Sequence, residues 1–245
     1  MTIHYGIDSF TSCYPTVVTV GSFDGVHGGH AVLLGRLTAM AQRLACQSVV
    51  VTFDPHPRIA MGRAEDMQLL TTIEERACLL AKRGVDHLVV VHFDDNFRSQ
   101  SYEEFVRSLV TSVGMRGMVV GYNHRFGRGS EGRYESLLPL GQELNFEVER
   151  VEQHTDAGDR VSSTVVRNLI ANGNMRRMTE ILGHPYIVIG IARTGVVAVE
   201  DDDKQLPCSG CYEASVNGRD MEITIDGRHI ILAEMVDGRV VIEFK

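Results

Sequence analysis

Short β-branched runs alternate with helix-length segments along the first two thirds of the chain: Thr16–Val20, Ser48–Phe53, His87–Phe93, Gly117–Tyr122 and Phe146–Val151. A strand followed by a helix-length connection returns to pair in parallel with its predecessor, so this alternation points to an α/β fold with a parallel sheet covered by helices. After His30, the residues Leu33, Leu34, Leu37, Met40, Ala41 and Leu44 fall on one helical face, which puts His30 at or just before a helix N-terminus. Thr72 and Glu75 have capping-box spacing and mark a second helix start.

Beyond Gly183-His184-Pro185 the pattern changes to short alternating stretches. Asn217-Gly218, Asp226-Gly227 and Asp237-Gly238 punctuate them, each read as a two-residue hairpin turn. Two domains are therefore expected, an α/β domain over 1–183 and a small all-β domain over 184–245. With 44% apolar residues in 245, one large and one small core form without disulfides.

The net charge of −8 offers no general basic field, so a nucleic-acid partner is not expected. The amino terminus lacks an apolar run with a small-residue cleavage site, and nowhere do about eighteen apolar residues run together. A cytoplasmic protein with no membrane association is expected. The five cysteines are odd in number, and Cys208-Ser209-Gly210-Cys211 has no second pair to complete a zinc site.

The turn after the first of these runs concentrates chemistry. Gly21, Gly25, Gly28 and Gly29 let backbone approach an anion closely, and His27 and His30 stand at the entrance to a helix. This equips the turn to hold phosphate, although the same histidines would also serve as helix caps or structural metal ligands. Neither a Walker A loop nor a Gly-x-Gly-x-x-Gly turn is present. A second anion-binding start follows at Val161-Ser162-Ser163-Thr164-Val165-Val166-Arg167, with hydroxyls and an arginine at another helix N-terminus.

Gly21 to His30 resembles the ATP-binding signature of the HxGH nucleotidyltransferase superfamily, and Ser162 to Arg167 resembles its later Ser-Ser-Thr-x-x-Arg signature. Phe23-Asp24-Gly25-Val26-His27, Phe53-Asp54-Pro55-His56-Pro57 and Gly121-Tyr122-Asn123-His124-Arg125-Phe126-Gly127 together resemble the bacterial riboflavin kinase/FMN adenylyltransferase family, also called FAD synthetase. The resemblance implies a Rossmann-like parallel sheet and the reaction of FMN with ATP to FAD and pyrophosphate, with Mg2+. It implies that ATP is bound by Gly21, Phe23, Asp24, Gly25, His27, His30, Ser163, Thr164 and Arg167, of which His27, His30 and Arg167 are catalytic. FMN would lie beside Pro55, Pro57, Asn123 and Arg125, and Asn123 would also sit near the metal. Arg125 and Arg128 either neutralise phosphate or are simply solvated, and Asp24 either caps the turn or orients the nucleotide. Ser130 departs from the family, many of whose members carry a basic residue there. The chemistry needs no covalent intermediate, so an in-line displacement is expected.

The tail resembles the family's riboflavin kinase barrel at Leu182 to Tyr186 and at Leu206 to Tyr212, but Arg193 to Gln205 carries no Gly-Phe-Pro-Thr-Ala-Asn stretch. Kinase activity is expected to be absent. The acidic residues Glu200 to Asp203 read as a solvated loop. Along the tail, Met221, Ile223 and Ile225, then Ile230 and Leu232, then Val241 and Phe244 with a break in phase read as packing positions. The alternatives are a transferase with another phosphorylated acceptor and a catalytically silent nucleotide- or flavin-binding module.

Overall fold

The computed structural model describes residues 1–62, 67–152, 162–199 and 201–245. Val161 and Glu200, which belong to the second signature and to the acidic run, lie outside the described residues. In chain order the larger elements are β1 (Thr2–Tyr5), β2 (Thr16–Val20), α1 (Gly28–Arg43), β3 (Gln47–Asp54), α2 (Pro57–Ala60), α3 (Ile73–Lys82), β4 (His87–His92), α4 (Asp95–Ser99), α5 (Tyr102–Ser112), β5 (Met115–Gly121), α6 (Tyr134–Leu144), β6 (Glu147–Val151), α7 (Ser163–Ala171) and α8 (Met175–Leu182). Six strands follow: β7 (Ile187–Arg193), β8 (Val196–Ala198), β9 (Gly210–Val216), β10 (Arg219–Asp226), β11 (His229–Leu232) and β12 (Gly238–Phe244).

The five anticipated strands are all present, within two residues at either end. β1 had no sequence signal: it is four residues long and exposed except at His4. It joins the sheet through parallel pairing with β4, Thr2 facing His87. The parallel sheet has the order β1-β4-β3-β2-β5-β6. Its direction of growth reverses between β2 and β5, which makes their carboxyl ends the topological switch point where open α/β sheets bind ligands.

Every residue of β2 is buried, and Val18 and Val20 join Val49, Val51, Met118 and Val120 in one core closed by Phe105 and Leu109 of α5 and Leu137 of α6. The face of α1 is as anticipated through Ala41, while Leu44 lies beyond the helix end and is half-buried. The start of α3 carries the expected capping box: Thr72 N donates to Glu75 Oε2 at 2.9 Å and Glu75 N to Thr72 Oγ1 at 3.2 Å.

The six later strands close into a barrel, β10-β11-β8-β7-β12-β9. Asn217 and Gly218 form the expected hairpin turn, with φ of 50° and 82°. The other two turns differ from expectation. Asp226 pairs with His229, so the β10–β11 turn residues are Gly227 and Arg228. Asp237-Gly238 joins no hairpin, because β12 pairs with β7 and β9 instead of β11, and Asp237 Oδ1 accepts a hydrogen bond from Thr194 N at 2.7 Å. An Asp-Gly pair marks a reversal of the chain without saying which strands it joins. In β12 the inward set is Val240, Ile242 and Phe244, so Val241 is out of phase with the barrel core.

By proximity the chain groups into two compact units, Met1–Phe23 with Gly29–Glu65 and Leu79–His154, and Asp24–Gly28 with Asp66–Cys78 and Thr155–Lys245. The first holds the parallel sheet and the second holds the barrel. Among the described residues no helix is long and apolar enough to cross a membrane.

Candidate active site

In the first unit, β2 is followed by Gly21, whose missing side chain makes room for a neighbour. A Cβ there would stand 3.1 Å from the Phe23 ring. Phe23 sits at φ 48°, buried, with its ring centroid 4.9 Å from that of His30 in the first turn of α1. Thr52 Oγ1 of β3 donates to Ser22 O at 3.0 Å and fixes this turn to the sheet.

The segments after β3, β4 and β5 enclose a cavity of about 600 Å³ at the carboxyl edge of the sheet. Phe53, Phe93, Phe97, Phe105 and Phe126 line it, and successive pairs of these rings lie 5.3–5.8 Å apart. Pro57, Arg125, Arg128 and Ser130 complete the rim with Arg98. The loop after β5 is shaped by Gly127 and Gly132, where a Cβ would meet Tyr102 at 2.7 and 2.8 Å. Its base is closed by Phe126 N to Gly132 O and Gly132 N to Phe126 O. Of the residues anticipated for the acceptor, Pro57 and Arg125 reach this cavity; Pro55, which follows a cis peptide bond, and the exposed Asn123 do not line it. Burial of the neighbouring His124 ring, whose Nε2 has no hydrogen-bond partner among the described residues, draws its pKa down to about 4.

In the second unit Asp24 is buried, 1% exposed, and its carboxylate is fully engaged. Thr71 N and Thr71 Oγ1 donate to Oδ1 at 2.9 and 3.2 Å, Leu70 N donates to Oδ2 at 3.1 Å, and Arg167 reaches Oδ2 at 2.5 Å. Arg167 Nε also donates to Gln68 O at 2.6 Å. Ser163 Oγ donates to Asp24 O at 3.1 Å, tying the start of α7 to the glycine-rich turn. Ser162, the residue capping α7, makes no side-chain cap, and Thr164 is exposed beside the helix's first amides. Asp24 thus acts as a turn cap, and its carboxylate together with Gln68 O holds the Arg167 guanidinium in place.

Gly25 donates its N–H to Thr71 Oγ1 at 3.1 Å and lies at φ 79°, with Leu70 Cδ1 only 2.7 Å from where a Cβ would be. Gly25→Ala is expected to destabilise the protein by about 1–3 kcal/mol through this strain and clash, measured as a shift of the urea midpoint at unchanged slope. His27 follows, half-buried. Burial holds its pKa at about 4, against the opposing pull of Asp24.

Sequence reasoning missed several contributors here. His184 Nε2 lies 3.0 Å from Gly25 O, Thr71 Oγ1 accepts from Gly25 N, and Lys204, paired with Glu75, holds Leu70 O next to Thr71. The aromatic wall was partly visible in Phe53 beside the Asp-Pro-His-Pro string, whereas Phe93 and Phe97 stand outside every motif.

A parallel sheet with a Gly-rich, His-x-Gly-His turn after its central strand, and an uncapped Ser-Ser-Thr helix start, defines an HxGH nucleotidyltransferase domain. The FAD synthetase family model matches residues 10–165. The chain belongs to the FAD synthetase family. It is 30% identical over 214 residues to an FAD synthetase of Listeria monocytogenes, covering 84% of this chain and 86% of the relative. To a bifunctional riboflavin kinase/FMN adenylyltransferase of the same organism it is 33% identical over 175 residues, covering 71% of this chain and 55% of the relative. The chain thus spans about half the length of that bifunctional relative. A solved structure described as a macrolide-efflux protein from Streptococcus pneumoniae matches with a TM-score of 0.82 at 23% identity, over 100% of this chain and 98% of the other, which is a likeness of fold alone.

Proposed function

We propose that this chain transfers the adenylyl group of ATP to FMN, giving FAD and pyrophosphate, in the cytoplasm. The observation that carries the choice of acceptor is the aromatic-walled cavity at the carboxyl edge of the sheet, rimmed by Pro57 and by Arg125 and Arg128. Five phenylalanine rings suit a planar flavin, and guanidinium groups at the rim suit its phosphate. ATP falls to Gly21, Phe23, Asp24, Gly25, His27, His30, Ser163, Thr164 and Arg167, with His27, His30 and Arg167 acting on the phosphates as the reaction proceeds. FMN falls to Pro57 and Arg125 at this cavity, while Pro55 and Asn123, anticipated with them, lie outside its lining. The nucleotidyltransferase domain spans 1–183 and is followed by the small β domain over 184–245.

The FMN phosphate oxygen attacks the α-phosphorus directly, and pyrophosphate leaves in line. His27 donates as a neutral imidazole at pH 7, and Arg167 supplies fixed positive charge held ready by Asp24. Inversion at a chiral α-phosphorothioate is expected, and net retention would require an enzyme-bound intermediate. Among the described residues no group of three or more His, Cys, Asp or Glu is placed to hold a metal ion. A magnesium ion would be carried chiefly by nucleotide phosphates and water, with Asn123 offering one oxygen. Such an ion would neutralise charge on the leaving pyrophosphate.

The test is incubation with magnesium and ATP, with FMN in one reaction and riboflavin in another, followed by chromatography of the flavins. FAD is expected from FMN only. The absence of kinase turnover is supported by the connection between β8 and β9, which has no glycine-rich element to cradle a nucleotide. FAD formed from riboflavin would overturn that part of the proposal, and no FAD from either would overturn the acceptor.

A further inference from the structure

Lys204 lies in the connection between β8 and β9 and is completely buried, as is Glu75 near the start of α3. Its ammonium has three hydrogens and three acceptors: Glu75 Oε2 at 2.7 Å, Leu70 O at 2.6 Å and Ile187 O at 2.9 Å. The Tyr186 ring lies 4.2 Å beneath it. Glu75 is equally committed, accepting from Ile189 N and Thr72 N, each at 2.9 Å. A buried pair of charges gives little net stability compared with an apolar replacement, so its stability does not explain its presence.

Its connections do. Residues 68–71 form a short strap with partners on both sides. On one side Gln68 O accepts from Arg167 Nε, and Leu70 N and Thr71 N donate to the Asp24 carboxylate. On the other side Leu69 N donates to Asp203 O at 2.6 Å, Gln205 N donates to Leu69 O at 2.8 Å, and Lys204 grips Leu70 O. Gln205 Nε2 reaches past the strap to Arg167 O at 2.7 Å. The same five-residue stretch, 201–205, is anchored by Arg228, whose Nη1 donates to Lys204 O at 2.8 Å.

We infer that Lys204 and Gln205 are positioning residues for adenylyl transfer: Lys204 through the strap 68–71, and Gln205 through its side-chain bond to Arg167 O, hold the Asp24–Arg167 pair where it must meet the nucleotide. The β module is then part of the transferase apparatus and not a remnant beside it. This rests on the proposed reaction only for its kinetic consequence.

Lys204→Met alone would leave Glu75 charged and buried, so the charge-free pair Lys204→Met/Glu75→Gln is compared with Gln205→Ala, which deletes one hydrogen bond. Hydrogen exchange is read at the Leu70 and Thr71 amides and, as internal reference, at Ile223 and Ile225 of the barrel. Steady-state rates are measured with ATP and FMN varied separately. In the Lys204→Met/Glu75→Gln variant Leu70 and Thr71 are expected to exchange at least about tenfold faster with the reference amides unchanged, whereas Gln205→Ala keeps its main-chain bond to Leu69 O and should leave them near wild type. The kcat/KM for ATP should fall about tenfold to a hundredfold while KM for FMN moves less than about twofold. Unchanged exchange at Leu70 and Thr71 in the Lys204→Met/Glu75→Gln variant would overturn the inference whether or not the wild type makes FAD. Faster exchange with an unaltered kcat/KM for ATP would overturn it too. A wild type that makes no FAD refutes the proposed reaction instead, and the exchange data still decide whether the strap holds Asp24.

Discussion

Arg167→Ala is expected to lower kcat/KM for FAD formation by about 10³-fold and to destabilise the fold by about 3–5 kcal/mol. The two losses have different causes. Asp24 is 1% exposed and its Oδ2 meets the Arg167 guanidinium, so deleting the arginine strands a buried carboxylate. The kinetic loss comes from removing a rigid donor array aimed at a developing phosphate charge. Asp24→Asn separates them. In the double variant Asp24→Asn/Arg167→Ala no buried charge is left over, so most of the stability should return while the rate stays low. Arg167→Lys keeps the charge but loses the fork that spans Asp24 and Gln68 O, and should fall between. Urea denaturation and initial rates on the same four proteins check this. An Arg167→Ala enzyme within about threefold of wild-type kcat/KM would remove Arg167 from the chemistry, and a double variant as unstable as the single one would mean that the buried charge is not the cause.

The same residues show what the sequence made legible. Local signals survived intact: the β-branched runs became β2 to β6, Thr72 and Glu75 became a reciprocal cap, and Asn217-Gly218 became a hairpin turn. Each depends on a few neighbouring residues, and the distant pairing agreed with it. What could not be read depends on pairing between distant segments. β1 exists because β4 offers it an edge, and Asp237-Gly238 fails as a hairpin because β12 belongs between β7 and β9. Lys204 shows this most sharply. Beside three aspartates it reads as one more charge in a solvated loop, yet it is wholly buried, because Glu75 and two carbonyls from three other segments converge on it. Asp24 had two readings until Leu70 and Thr71 were seen to donate to it. The signature residues were visible because they cluster in sequence, whereas their supports were not.

Acidification from pH 7 to 4.5 is expected to weaken the fold, and His27 should account for a measurable share. Burial lowers its pKa from 6.5 to about 4, with Asp24 opposing and His184 adding to the shift. The folded state therefore resists protonation. Above pH 6.5 the imidazole is neutral in both states and contributes nothing to the pH dependence. As the pH falls below 6.5 the unfolded chain takes up a proton that the folded chain refuses, and stability drops until the folded pKa is reached. Over that window one such histidine costs about 2–3 kcal/mol, and His124, held at about 4 by burial, acts in the same sense. Carboxylates titrate in this range too, so the informative quantity is the difference between wild type and His27→Gln. Its stability curve should lose up to about 1.4 kcal/mol per pH unit of slope between pH 6 and 4.5. The same linkage reaches the proposed reaction. Phosphates beside His27 would favour its cation, so ATP should bind with uptake of protons near pH 5.5 and more tightly there than at pH 7. Titration calorimetry in two buffers of different ionisation enthalpy reads that uptake directly. Its disappearance in His27→Gln would put the imidazole against the phosphates, while equal uptake in both proteins would move that contact to another residue.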